Sequence, residues 1–294
     1  MRVEDAVIIG AGPAGIAAAI QLKRYGVAPR VFEKDSVGGL LKNANFVENY
    51  PGFPGGIRGS DLVRLIQEQA ERLSLRIQRD RVVELTREDR LFKVQTDRGD
   101  VYYARVVVVA SGTQPVPFAD VDIPTDLSAK VFYEVFPICN VASKTVAIIG
   151  AGDAAFDYAL NLARNNDVLI LNRSDKIKAL PLLVERATAC SRIRYQEDAR
   201  LTSLVSGPNG RMSLVWTNTG AEHETDVDYL IFAVGRQPLL DFLAAGVDST
   251  ASENENLYFC GDVKNARFRQ TAIAAGDGIR AAMSIYGKLK ERSG

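Results

Sequence analysis

The chain has 294 residues, with 36 basic against 36 acidic side chains, 47% apolar and 24% charged residues. At about 150 residues per domain two domains are expected, and the composition is that of an ordinary globular protein. Zero net charge supplies no field to draw in nucleic acid or an anionic membrane, and no apolar run approaches the roughly 18 residues a membrane span needs.

The first strand-like run, AVIIG, begins at Ala6. We therefore read no signal peptide ahead of it, and three cysteines far apart in sequence lead us to expect a reducing cytoplasm. The wider stretch AVIIGAGPAGIAAAIQL (6–22) reads as a buried strand, a glycine turn and an alanine-rich helix. In this unit Gly10 allows the tight turn, Gly12 lets the backbone approach a pyrophosphate, and Gly15 lets the helix pack on its strand. The helix start at Pro13 and Ala14 offers free N–H groups and partial positive charge to the phosphates. A second strand, in PRVFEKD, ends at Glu33. An acid there is placed to accept hydrogen bonds from a ribose with a free 2′-hydroxyl.

The same unit recurs at an offset of 140. VAIIGAGDAAFDYALNL (146–162) shares eight identities in seventeen positions with the first copy. Gly150 and Gly152 repeat the turn and the phosphate approach, Asp153 and Ala154 open the helix, and Ala155 takes the packing role of Gly15. A lone glycine motif is a weak signal, and two copies between strand and helix are a strong one. The strand after the second copy, DVLILNRSDKIK, ends at Asn172-Arg173 with no acid at its tip. Arg173, Lys176 and Lys178 gather there, which favours NADPH, with its 2′-phosphate, over NADH. A solvated basic loop partly neutralised by Asp175 is the alternative.

Further along, PLLVERATACSRI reads as a helix carrying Cys190, and the one histidine, His223, reads as a surface loop or strand-tip residue. The three cysteines (Cys139, Cys190 and Cys260) fit no metal or disulfide spacing, and no metal is expected. The closing segment 255–287 reads as a strand, a Gly261-Asp262 turn, a short loop and a long helix starting near Gln270-Thr271-Ala272. Although ENLYF (255–259) looks like an engineered protease tag, it runs straight into CGD and is read as native. Asp262 is placed to accept a hydrogen bond from a ligand hydroxyl, ribitol being the expected partner. The helix start offers N–H groups and a dipole to negative charge on a flavin edge.

In order along the chain, GAGPAG, EKDSVGGLL, VENYPGFPGGI, VVVASG, GAGDAA, FCGDV and RQTAIAAGDG resemble the low-molecular-weight thioredoxin reductases over essentially the whole sequence. The resemblance implies an α/β protein of two Rossmann-like, three-layer ββα nucleotide-binding domains. An FAD domain (1–113 and 237–294) is split by an inserted NAD(P)H domain (114–236). The same pattern places Gly38, Gly39 and Asn49 at the flavin, together with Lys34, Leu40, Val82, Ala110, Ser111, Gly261 and Arg269. Gly112 and Gly235 mark the two crossings between domains. It also implies a homodimer.

Those reductases carry a C-x-x-C dithiol shortly before the second glycine motif, where this chain has FYEVFPICN. Cys139 alone allows only a flavin adduct or a mixed disulfide, and an inert core thiol is preferred. Glu134 is a candidate for relaying a proton. Phe132-Tyr133 is read as core, with stacking on the flavin as the alternative. Ferredoxin–NADP⁺ reductases of the same type also lack the dithiol, but usually add a C-terminal extension that we do not find here. Bacillithiol disulfide reductases place a cysteine where this chain has Ala14.

The expected function is an FAD-dependent NAD(P)H oxidoreductase in which a hydride passes from nicotinamide to flavin. Electrons then leave directly to a ferredoxin or flavodoxin, a small disulfide, a quinone or oxygen. A flavin-dependent oxidase or tailoring enzyme, or a non-turnover FAD protein that has lost nicotinamide use, are the alternatives.

Overall fold

A computed structural model describes residues 3–247 and 256–291. Among them are five α-helices: α1 (Pro13–Arg24), α2 (Gly59–Arg72), α3 (Asp153–Leu162), α4 (Pro181–Thr188) and α5 (Thr271–Glu291). The chain divides into two units. One comprises residues up to Lys42, Glu48–Gln114 and the chain from Gln237, and the other Asn43–Val47 with Pro115–Arg236.

The first unit is built on strand Val3–Ile9, whose last four residues, Ala6 to Ile9, are all buried and accordingly read as a continuous apolar run. It pairs in parallel with Arg30–Phe32 on one side and Val101–Val109 on the other. Arg76–Gln78 extends the sheet at one edge, and Leu257–Phe259 pairs in parallel with the end of 101–109. The first half of 101–109 instead pairs antiparallel with Leu91–Thr96, which continues into Val82–Glu88. Helices α1 and α5 share one apolar core with one sheet face, including Ile8, Ile16, Ala18, Leu22, Ala281 and Ile285. The opposite face packs with the antiparallel strands through Val7, Leu85, Phe92 and Val107.

The second unit repeats that plan. Its five parallel strands run in the order Ile193–Gln196, Asp167–Leu171, Thr145–Ile149, Tyr229–Phe232, Val131–Phe132. Helices α3 and α4 cover one face. An antiparallel sheet of Arg200–Ser206, Met212–Asn218 and Ala221–Val227 shares the core on the other. Each unit is thus a three-layer Rossmann-like arrangement. The crossing segments Thr113–Pro115 and Arg236–Pro238 pair as a two-stranded ribbon.

Three local expectations change. The helix read over 181–193 stops at Thr188, because Ile193 is taken by the strand that pairs with Val168. Cys190 therefore lies in the turn after α4. His223 is neither loop nor strand tip: it lies within strand Ala221–Val227, stacked on Trp216 with ring centroids 4.3 Å apart. The closing strand spans Leu257–Phe259, while Glu255 of the stretch read there lies outside the described residues.

Asp157 on α3 accepts a hydrogen bond from the Asn45 backbone N–H at 2.8 Å. Burial, only partly offset by that bond and by the charge of Arg164, raises its pKa from 3.8 to about 6. The folded protein therefore holds this proton more tightly than the unfolded chain. Stability falls as pH rises from about 4 to 6 and stays lower above that range. Asp157→Asn keeps an acceptor for Asn45 without the charge. It is expected to gain up to roughly 3 kcal/mol over wild type at pH 7 and nothing near pH 4. Urea denaturation at the two pH values measures the difference.

Candidate functional site

The glycine turn of the first unit is shaped by close contacts. Gly10 has φ +105° and donates its N–H to the Phe32 carbonyl at 2.8 Å. A Cβ there would overlap the Ala110 carbonyl oxygen, and a Cβ on Gly15 would overlap the Gly10 oxygen. Gly12 is different. Its φ of −72° suits any residue, and the nearest atom to an added Cβ would be the Gly39 Cα at 4.0 Å. Nothing within the protein requires glycine at 12, so the space is kept for something from outside. Gly12 is also the N-cap of α1, with no side-chain cap and no acid in the first turn. The free N–H groups beginning at Ala14 (Pro13 has none) remain available to an anion. A dinucleotide pyrophosphate fits this cradle.

Glu33 closes it. One carboxylate oxygen accepts from the Ala11 N–H at 2.8 Å and the other from Asp35 at 2.9 Å. Each oxygen retains a lone pair for a ribose hydroxyl. Lys34 is exposed just beyond. Gly38 donates to the Ala11 carbonyl at 2.9 Å, and Gly39 and Leu40 open the short helix Gly39–Asn43. Asn49 and Gln270, 221 residues apart, meet through a 2.9 Å bond from Nδ2 to Oε1. Ala110 follows the strand end, and the Ser111 hydroxyl donates to the Leu239 carbonyl at 2.7 Å. Gly112 takes φ +69° beside it. Val82 is buried in the core, so whatever it contributes there is backbone. Gly261 and Asp262 form a 3₁₀ turn ahead of half-buried Arg269, with Thr271 starting α5 and Ala272 exposed on it.

The second turn has the same construction. Gly150 (φ +133°) donates to Leu171 at 3.0 Å, and its Cβ would overlap the Ala233 oxygen. Gly152 caps α3 with no atom within 4 Å of an added Cβ, and Ala155 is buried beneath. Asp153 does stand in the first turn, but its carboxylate accepts the Leu180 N–H at 2.8 Å. Ala154 beside it is exposed.

Glu33 and Asn172 occupy equivalent places, donating their N–H groups to Gln78 and Gln196, each at 2.9 Å. Their side chains differ in use. Asn172 is 5% exposed, and its amide donates to the Lys176 carbonyl (3.1 Å) and the Tyr195 hydroxyl (2.9 Å). It shapes the loop, leaving Arg173, Lys176 and Lys178 exposed around the turn. Lys178 ties back through its N–H to the Ala151 carbonyl at 2.9 Å. Gly235, φ +129°, lies three residues past strand Tyr229–Phe232 and just ahead of Arg236–Pro238.

Glu134 is engaged on both oxygens: it accepts from Tyr158 Oη at 2.8 Å and pairs with Arg236. Burial, then the Glu134 charge, holds the Tyr158 hydroxyl well above its ordinary pKa. This triad was not foreseen, since its members lie 24 and 102 residues apart. Phe132 and Tyr133 sit against Tyr229 and Phe232, in the core. Cys139 is half-buried after the turn Phe136–Ile138, and Cys190 is also half-buried. Burial, with the Asp277 carboxylate adding to it, pushes the Cys260 thiol up to about 12. Among the described residues no group of histidines, cysteines and acids could hold a metal, and no helix is long and apolar enough to cross a membrane.

A model of the pyridine nucleotide-disulphide oxidoreductases matches residues 4–278. The chain belongs to that family. It is 31% identical over 301 residues to the thioredoxin reductase of Streptomyces coelicolor, covering 96% of this chain and 92% of that one. It is 28% identical over 313 residues to a bifunctional thioredoxin reductase/thioredoxin of Mycobacterium leprae, covering 99% of this chain and 67% of the relative. The crystal structure of Lactococcus lactis thioredoxin reductase superposes with a TM-score of 0.87 at 27% identity, covering 98% and 99% of the two chains.

The two glycines of the first turn are expected to behave differently. Gly15→Ala should lower apoprotein stability by about 1–3 kcal/mol, through overlap with the Gly10 carbonyl. Gly12→Ala should stay within about 1 kcal/mol of wild type while losing bound dinucleotide. Urea denaturation and the absorbance of heat-released nucleotide separate the two effects.

Proposed function

We propose that the protein is an FAD-dependent NAD(P)H oxidoreductase of the thioredoxin reductase kind that passes electrons to its acceptor without a protein dithiol. The observation that carries this is the makeup of FYEVFPICN: one cysteine, in a chain whose other two lie 51 and 121 positions further on. When bound, FAD supplies the hydride and electron transfer chemistry. The chain supplies two phosphate cradles, at Gly12 and Gly152, and two turn-and-helix elements that meet negative charge with backbone N–H groups. In the first unit Glu33, Gly38, Gly39, Asn49, Asp262 and Gln270 would hold the FAD. In the second, Gly150, Gly152 and Arg173 would hold the nicotinamide nucleotide.

Glu134 is bonded to Tyr158 and paired with Arg236, and on this reading its role is charge pairing. Candidate acceptors are a ferredoxin or flavodoxin, a small disulfide, a quinone or oxygen.

Anaerobic stopped-flow mixing with NADPH tests the proposal directly. Wild type and a Cys139→Ser, Cys190→Ser, Cys260→Ser variant should lose their flavin absorbance at similar rates. Loss of turnover in Cys139→Ser alone would overturn the dithiol-free route, and a protein without FAD would overturn the whole reading.

Arg173 is the residue expected to choose between nicotinamide cofactors, since a guanidinium binds a phosphate bidentately. Arg173→Ala should weaken NADPH by roughly ten- to a hundredfold and leave NADH nearly unchanged. The effect should shrink as salt is raised. Equal losses for both cofactors would assign Arg173 a structural role.

A further inference from the structure

Asp277 lies in the second turn of α5 and is 9% exposed. Its carboxylate faces donors from one short segment. The Gly261 N–H reaches Oδ2 at 3.2 Å, the Asn265 amide reaches the same oxygen at 2.5 Å, and the Lys264 ammonium lies 3.9 Å from Oδ1. The segment itself turns tightly, with Gly261 at φ +76° and the Lys264 N–H donating to the Gly261 carbonyl at 3.1 Å. The neighbouring contacts are equally close. A Cβ on Gly261 would come 2.8 Å from the Ala14 Cβ, and one on Gly278 would overlap the Ala14 carbonyl oxygen. Ala14, at the start of α1, is therefore wedged between the Gly261 turn and α5, and Asp277 is the polar tie at that crossing.

We propose that Asp277 is a positioning residue for the cofactor, locking the Gly261–Asn265 turn to α5 and so fixing how Asp262 and the first turn of α5 are presented together. This rests on the FAD assignment above. Asp277 does not touch the ligand; it acts through the turn. A buried carboxylate is costly unless donors surround it, and here both bonded donors come from the turn it positions. Truncating it leaves the Gly261 N–H and the Asn265 amide without that acceptor, and the turn loses its tie to the helix.

The experiment follows FAD leaving the purified holoprotein at room temperature, by recovery of flavin fluorescence on dilution, beside thermal unfolding by circular dichroism. Asp277→Ala is expected to raise the release rate roughly ten- to a hundredfold. Asp277→Asn retains an oxygen for Gly261 and Asn265 and should return the rate close to wild type. A lowered Tm with an unchanged release rate in Asp277→Ala would overturn the proposal, leaving only a fold-stabilising residue. If Asp277→Ala does not fold, Asn265→Ala decides the question: faster release supports the tie, and an unchanged rate overturns it. Wild-type protein carrying no FAD would instead remove the cofactor assignment, and this proposal with it, before any variant is made.

Discussion

The constraint on which both units depend is that a helix must start flush against the end of a parallel strand. Only then do its free N–H groups point into the opening beyond the sheet. The chain meets this with glycines where no side chain fits: Gly15 against the Gly10 carbonyl, Gly278 against the Ala14 carbonyl, Gly150 against the Ala233 carbonyl. Each such contact excludes any Cβ. In the first unit the requirement extends to a segment from the far end of the chain. Helix α1 cannot be buried by its own strand alone and shares its core with α5. A split domain is thus tied to the packing of the phosphate turn, and the second nucleotide-binding unit occupies the interval between its halves.

Identical construction leaves ligand choice to the tip of the next strand. Glu33 places a carboxylate over the first turn, anchored by the Ala11 and Asp35 N–H groups. At the equivalent place Asn172 is neutral and turned inward, toward Tyr195 and the Lys176 carbonyl. The difference is electrostatic as well as geometric. A fixed anion suits two hydroxyls and opposes a phosphate, whereas an inward amide leaves the exposed Arg173, Lys176 and Lys178 to set the local potential. Asp153 at the start of α3 would oppose an anion there, but its bond to the Leu180 N–H spreads that charge over a backbone donor.

What was legible in the sequence was local. Strand, glycine spacing, helix and the acid or amide beyond it all lie within about thirty residues, so periodicity and turn chemistry expose both strand–glycine turn–helix units. What was not legible depends on residues that only the fold brings together. Nothing near Glu134 in sequence announces Tyr158 or Arg236, and nothing in NTGAEHETD shows that His223 will stack on Trp216 across a strand pair. The helix read through Cys190 failed for a related reason: pairing with 168–171 outweighed helical pattern at Ile193. Asp277 was visible as a letter in AAGDG, yet its partners are turn donors 12 and 16 residues upstream.

The surroundings of the three cysteines agree with their spacing in arguing against a thiol relay in this chain. A thiol acts as a nucleophile through its thiolate, which needs positive surroundings or a second sulfur close by. Cys260 has the reverse: it is buried, with the Asp277 carboxylate nearby, and its proton is held up to about 12. Cys139 and Cys190 are half-buried and each far from any other cysteine in sequence. The tract that would hold a dithiol instead contributes Phe132 and Tyr133 to the core and Glu134 to a closed triad. Its side chains serve packing and charge pairing, and on the proposed function electron transfer falls to the bound cofactor. On the proposed function the polypeptide would act on the redox step through what surrounds the cofactor: backbone N–H groups at helix starts, the turn at Gly261, and the buried carboxylate bonded to it.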